Sequence, residues 1–251
     1  MYRRDCPPEI QRLGVCVVWL RMANVFITGA TGFMGRRLAA ELLVRGHRVR
    51  GLVRAGSESR VAIGSEITTG DPLRASTYVD ALSGSDTLVH LVGVAHPSPA
   101  KKEQFVSIDL TSALEAVDAA QCAGVRHLVY VSVAHPAPVM RDYIAARSTA
   151  EAAIGAAGLN ASILRPWYVL GPGRRWPIAI MPVYWLMEAL PSTRASALRL
   201  GLVSAEQMIA SLACAVEDPA LGVRVWEVPD IRAMSERATT RRSGHAVPAR
   251  R

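Results

Sequence analysis

The apolar residues fall into short continuous runs, separated by longer stretches with helical spacing. Val25–Thr28 predicts a strand buried on both faces. Phe33–Arg45 carries apolar residues at helical steps and stops before Gly46, a residue suited to end a helix. Arg48–Val53 predicts a second strand and Ile67–Thr69 a short third. Pro72 opens a predicted helix that runs to Leu82. Thr87–Val92 predicts a fourth strand, and Lys101–Ala123 a long helix closed by Gly124. Val125–Ser132 predicts a fifth strand, Asp142–Ala157 a helix closed by Gly158, and Ser162–Leu164 the start of a sixth strand. Such alternation predicts an α/β fold, a doubly wound parallel sheet with helices on both faces.

After Arg165-Pro166 the pattern changes, and Trp167, Pro172, Trp176, Pro177, Pro182, Trp185 and Pro191 follow in quick succession. The spacing predicts helices at Val183–Leu190 and Ala205–Val216, and a late strand at Val223–Val228. We read residues 22–231 as one domain, with a small C-terminal lobe at about 166–230 packed at one sheet edge. Residues 1–21 lack the alternation, and a strand follows Met22 at once. They read as an extension or a mis-assigned start. Residues 232–251 are rich in Arg, Ser and Thr without apolar period, which predicts a disordered tail.

Charge sharpens this division. The formal net charge is +8, but residues 232–251 hold six Arg and one Glu, and residues 1–21 hold four Arg against Asp5 and Glu9. The middle of the chain is close to neutral, so no specific nucleic-acid partner is expected. No run approaches the length of a transmembrane helix. The four cysteines form no CxxC pair, which suits a reduced, cytoplasmic compartment. No group of residues has metal-ligand spacing, so no metal is expected.

The most informative segment is Thr28-Gly29-Ala30-Thr31-Gly32-Phe33-Met34-Gly35, between a strand and a helix. There Gly29 allows the sharp turn, Gly32 lets backbone approach a pyrophosphate, and Gly35 lets helix and strand pack closely. The helix N-terminus then faces the phosphates. This is the Rossmann-type arrangement for a dinucleotide. The second strand ends Gly51-Leu52-Val53-Arg54, with no acid for a ribose 2′-hydroxyl. Arg54 instead suits a 2′-phosphate, which favours NADP, with NAD as the alternative.

The glycine segment resembles the TGATGFxG motif of the extended and atypical short-chain dehydrogenase/reductases. These include the NAD-dependent epimerase/dehydratases, the NmrA-like proteins and the nucleotide-binding subunit of respiratory complex I. The resemblance continues through Gly70-Asp71, where Asp71 corresponds to an adenine contact. His90-Leu91-Val92-Gly93 corresponds to the turn beside the cofactor. Val125–Ser132 resembles the family's fifth strand. Leu164-Arg165-Pro166, with Tyr168, Gly171 and Pro172, resembles the segment that passes the nicotinamide. The resemblance implies cofactor contacts from Gly29, Thr31, Gly32, Phe33, Met34, Gly35, Arg54, Asp71, Leu91, Val92, Gly93, Arg147 and Pro166.

The family's Tyr-x-x-x-Lys pair corresponds here to Tyr143-Ile144-Ala145-Ala146-Arg147, with Arg in place of Lys. The family's hydroxyl beyond the fifth strand falls on Ala134, leaving Ser132 or His135 as substitutes. The resemblance therefore implies Tyr143 as proton donor, Arg147 as its electrostatic partner and Ser132 as a catalytic hydroxyl. His90 reads as a turn residue and His135 as a loop histidine. Two readings stay open. One is an NADPH-linked reductase of an apolar carbonyl substrate, or a sugar-nucleotide-type epimerase/dehydratase. The other is a non-catalytic NAD(P)-binding sensor or assembly protein. The aromatic lobe allows core packing, an apolar substrate, or a docked partner or membrane face.

Overall fold

The computed structural model describes residues 22–137, 139–171 and 199–234. In chain order they form β1 (Asn24–Thr28), α1 (Phe33–Val44), β2 (Arg48–Val53), β3 (Glu66–Thr69), α2 (Val79–Leu82) and β4 (Thr87–His90). Next come α3 (Lys102–Gln104), a π-helical turn at Phe105–Leu110, α4 (Thr111–Cys122), β5 (His127–Val131), α5 (Arg141–Ala156) and β6 (Ala161–Leu164). Last are β7 (Tyr168–Leu170), β8 (Leu202–Ser204), α6 (Ala205–Glu217) and β9 (Val223–Trp226).

Seven strands form one parallel sheet in the order β3-β2-β1-β4-β5-β6-β9. The order reverses between β1 and β4, which pair from Val25↔Thr87 to Thr28↔His90. A reversal of this kind opens a crevice at the carboxyl ends of the strands. Side chains alternate between two cores. Val25 and Ile27 face the layer of α1 and α6, while Phe26 faces the layer of α2, α4 and α5. Val129 and Val131 likewise oppose Leu128 and Tyr130 on β5. Buried apolar groups on both faces explain the near-continuous hydrophobic runs.

Several expected elements change at their ends. The helix expected from Pro72 is only a 3₁₀ turn at Ala75–Thr77 and one turn of α2. Thr77 Oγ1 explains the break, since it hydrogen-bonds the Asp71 N–H, the Asp71 carbonyl and the Arg74 carbonyl. The fourth strand stops at His90, and the fifth begins at His127. The long helix from Lys102 to Cys122 is present but carries the π turn inside it. The short strands β7 and β8, which sequence reasoning missed, pair in parallel as a second sheet.

The boundary at residue 231 needs correction. A helical stretch at 228–234 follows β9, with Ile231 fully buried. Arg232 donates from Nε and Nη2 to the Leu202 carbonyl at 3.1 and 2.8 Å, so residues 232–234 belong to the fold rather than to a tail. The extension 1–21, the helix expected at Val183–Leu190 with most of the aromatic lobe, and residues 235–251 lie outside the described residues.

Candidate active site

The first half of the site is made of backbone. Gly29 follows β1 at φ +75°, and a Cβ there would lie 2.8 Å from the carbonyl carbon and oxygen of Leu91. Gly35 sits against the Gly29 carbonyl and the Ala30 backbone, with no room for a side chain. Gly32 is exposed, and it donates to the Gly29 carbonyl at 3.0 Å. α1 then begins at Phe33 with no side-chain cap and no acid in its first turn. Its positive dipole end is therefore left to an anion. The cradle fits a dinucleotide pyrophosphate on these grounds.

Other expected contacts gather round it. Thr31 and Met34 are half-buried, and Met34 packs on the core below. The Phe33 ring is stacked by the Arg37 guanidinium at 4.1 Å and is covered by Gly171, just past β7. Leu91 and Val92 touch the Gly29 turn. Pro166 is buried, and its carbonyl accepts from the Ala134 N–H at 3.0 Å. Arg54 is exposed at the end of β2. The Asp71 carboxylate accepts from the Leu73 N–H at 3.0 Å, so one of its oxygens already caps its own turn.

The second half is made of side chains. Arg147 lies in the second turn of α5 with its side chain 7% exposed, and it pairs with the wholly buried Asp109. Its Nη1 donates to the Val131 carbonyl at 2.9 Å and reaches the Tyr130 hydroxyl at 3.3 Å. Burial opposes the charge, but Tyr143, Tyr130 and Asp109 hold the guanidinium above its ordinary pKa. Burial pushes the Asp109 carboxyl upward, while Arg147 and the Val94 N–H pull it back down. Tyr143 is half-buried, its ring 5.0 Å from the Phe105 ring and 5.3 Å from the Arg147 guanidinium carbon. Gly93 joins the two halves, because a Cβ there would strike the Arg147 guanidinium and come within 3.1 Å of Asp109 Oδ1.

His90 is not a turn residue. It ends β4, fully buried, with Nδ1 2.9 Å from Thr28 Oγ1 and Nε2 3.3 Å from Ser112 Oγ. Burial, aided by the charge of Arg147, lowers its pKa to about 3, so it is neutral at ordinary pH. Ser132 is buried at the end of β5, and its Oγ has no hydrogen-bond partner among the described residues. His135 sits 3.6 Å from Glu151, which also pairs with Arg165. Arg165 reaches Glu227 as well, at 3.0 Å. The structure thus brings Tyr143, Arg147 and Gly93 together. Phe105 and Asp109, which complete that group, were missed by sequence reasoning. Their signal was a spacing: they stand four residues apart, as Tyr143 and Arg147 do.

Among the described residues no cluster of His, Cys, Asp and Glu has a metal-binding arrangement. Among the same residues no helix is long and apolar enough to cross a membrane.

Comparison with known proteins identifies the family of the chain. The sequence profile of the NAD(P)H-binding family matches residues 29–175, more than half of the chain. The chain is 31% identical to the ceramide reductase of Caulobacter vibrioides over 211 residues, covering 83% of this chain and 65% of that protein. It is 30% identical to the 3 beta-hydroxysteroid dehydrogenase/Delta 5-->4-isomerase of Mycobacterium tuberculosis over 129 residues, covering 49% of this chain and 35% of that protein. The chain therefore spans less than two thirds of the length of these relatives. Its fold is similar to that of the Bordetella bronchiseptica enzyme WbmH in complex with NAD+, with a TM-score of 0.62 and 20% identity, covering 92% of this chain and 84% of that one.

Proposed function

Because the chain belongs to the NAD(P)H-binding family, we propose that it is an NADPH-linked reductase of a ketone on an apolar, lipid-like molecule. The observation that carries this reading is the seat of Tyr143. Its ring is held between Phe105 and Arg147, and Arg147 touches the same Gly93 turn that leads back to the glycine cradle. A phenol in that seat is set to deliver a proton beside a bound dinucleotide.

The roles then divide by chemistry. Gly29, Gly32 and Gly35 with the end of α1 hold the pyrophosphate. Arg54, exposed at the end of β2, is the grip for a 2′-phosphate. When bound, the nicotinamide supplies the hydride. The Tyr143 hydroxyl donates a proton to the oxygen on which negative charge develops. Ala134 brings no hydroxyl and the Ser132 hydroxyl is buried, so Tyr143 carries the donor role in this reading. The apolar substrate rests on the relatives named for a ceramide and a hydroxysteroid, and on the aromatic composition of residues 166–190.

A second reading, cofactor binding without turnover, is favoured by one observation. Arg147, in the place of the family's lysine, is paired with a buried carboxylate. The test is a fluorescence titration of the full chain with NADPH and NADH, followed by NADPH consumption with a long-chain methyl ketone and a steroid ketone. The expected result is tighter NADPH binding and ketone-dependent oxidation. Tyr143→Phe is expected to lose on the order of 100-fold in turnover or more, with cofactor affinity retained. NADPH binding with no oxidation across both ketones would favour the second reading. Binding of neither cofactor would end both.

A further inference from the structure

Two helical faces meet at this site in matched steps. Phe105 and Asp109 are the buried residues of the π turn. Each faces one member of the Tyr143/Arg147 pair on α5, ring against ring and carboxylate against guanidinium. π turns recur at functional sites because they re-aim side chains within a helix. Asp109 is bonded on its second oxygen too, by the Val94 N–H at 3.0 Å. Both terminal nitrogens of Arg147 are engaged by the protein, one by Asp109 and the other by Val131 and Tyr130. Only its Nε, which is buried, is without a partner among the described residues, so the forked end that could grip a ligand is spent on the protein.

We propose that Asp109 is a positioning residue: it closes Arg147 into a neutral buried pair, so that Arg147 acts as a strut for Tyr143 rather than as a free cation facing the cofactor. The inference rests on the reading of Tyr143 as proton donor. Around this pair the titratable groups are Tyr143 and Arg147 on α5, Asp109 on the π turn, Tyr130 on β5 and His90 on β4. Removing one partner strands the other charge in a dry site, whereas replacing both by amides strands no charge.

The test is a double-mutant cycle in the full chain, with Asp109→Asn, Arg147→Gln and the two combined. Melting midpoint, NADPH affinity and kcat and KM for whichever ketone the wild type reduces are read on each. Each single change is expected to lower the melting midpoint by on the order of 10 °C. Each is expected to lower kcat by about 100-fold, in the range seen when a proton donor is misplaced. The double variant is expected to recover most of both losses and to bind NADPH within about 3-fold of wild type, as a neutral strut allows. Arg147→Lys, which keeps a neutral pair with Asp109, is expected to lose less than about 10-fold in kcat, well short of the loss in Arg147→Gln.

The proposal is overturned if the double variant regains its melting midpoint but keeps the kcat or NADPH-affinity loss of Arg147→Gln. A loss of kcat in Arg147→Lys as large as in Arg147→Gln would overturn it as well, and that arm decides if Asp109→Asn fails to fold. Single variants indistinguishable from wild type would do the same. If the wild type binds NADPH and reduces no ketone, the reductase reading fails by itself. The melting and affinity arms of the cycle then still decide the role of Asp109.

Discussion

The two halves of the site are built from different materials. Around Gly29, Gly32 and Gly35 the chain places backbone against backbone, and the missing side chains are what matter. Around Asp109, Tyr143 and Arg147 it places charge and ring against charge and ring, drawn from elements 38 residues apart. The first half has no tolerance for added atoms. The second half tolerates atoms but not unbalanced charge. In the proposed reading, hold on a nucleotide and control of a proton thus arise from separate physics.

The largest expected effect tests the first half. Gly35→Ala would push a Cβ into the Gly29 carbonyl and the Ala30 backbone, neither of which can yield as a flexible side chain does. We expect a stability loss of about 2–4 kcal/mol and NADPH binding weakened by on the order of 100-fold, measured by thermal melting and fluorescence titration. Wild-type affinity in this variant would break the comparison, because the cradle would then be compliant.

The next effect tests, through pH, the buried histidines of the sheet, one of which, His90, stands near the charge of Arg147. His90 and His127 are buried and neutral, with pKa values lowered to about 3 and about 4, in each case chiefly by burial. In the unfolded chain both take up protons below about pH 6.5, and the folded chain resists. Their contribution is therefore complete above that pH and is lost as the pH falls toward 4, at about 1 kcal/mol per pH unit for each. Asp109, whose carboxyl burial pushes upward, works in the opposite sense and offsets part of the loss. Melting curves from pH 7 to pH 4 should show a steady fall. A flat profile would mean that the buried polar layer is better hydrated than its packing implies.

The smallest effect sharpens the boundary of the first half. Arg54→Ala should weaken NADPH by about 10-fold and leave NADH nearly unchanged, because an exposed phosphate–arginine contact contributes about 1–2 kcal/mol. Equal effects on both cofactors would remove Arg54 from the 2′-phosphate site.

The same contrast explains what was legible in the sequence. The glycine segment could be read because each glycine's job is local: a turn, a close approach, a helix packed on a strand. The strands could be read because burial on both faces writes continuous runs such as Leu128–Val131. Asp109 could not. Nothing near it in the chain announces a partner, and only the packing of the π turn on α5 supplies Arg147. Ser132 was singled out by position, but its hydroxyl is buried without a partner. Thr77 broke an expected helix by bonding backbone groups that a hydrophobic pattern does not register. β7 and β8 were too short to stand out, and they pair only because Tyr168 and Leu202 are brought side by side.

The order of the strands also sets a timetable for the growing chain on the ribosome. β1 and α1 precede the other elements, yet the glycine turn is walled on one side by Leu91, and the Phe33 ring that opens α1 is covered by Gly171. A nascent chain that has released only the first of these segments holds a half-made cradle. The cofactor is therefore expected to join late, once translation has passed β7.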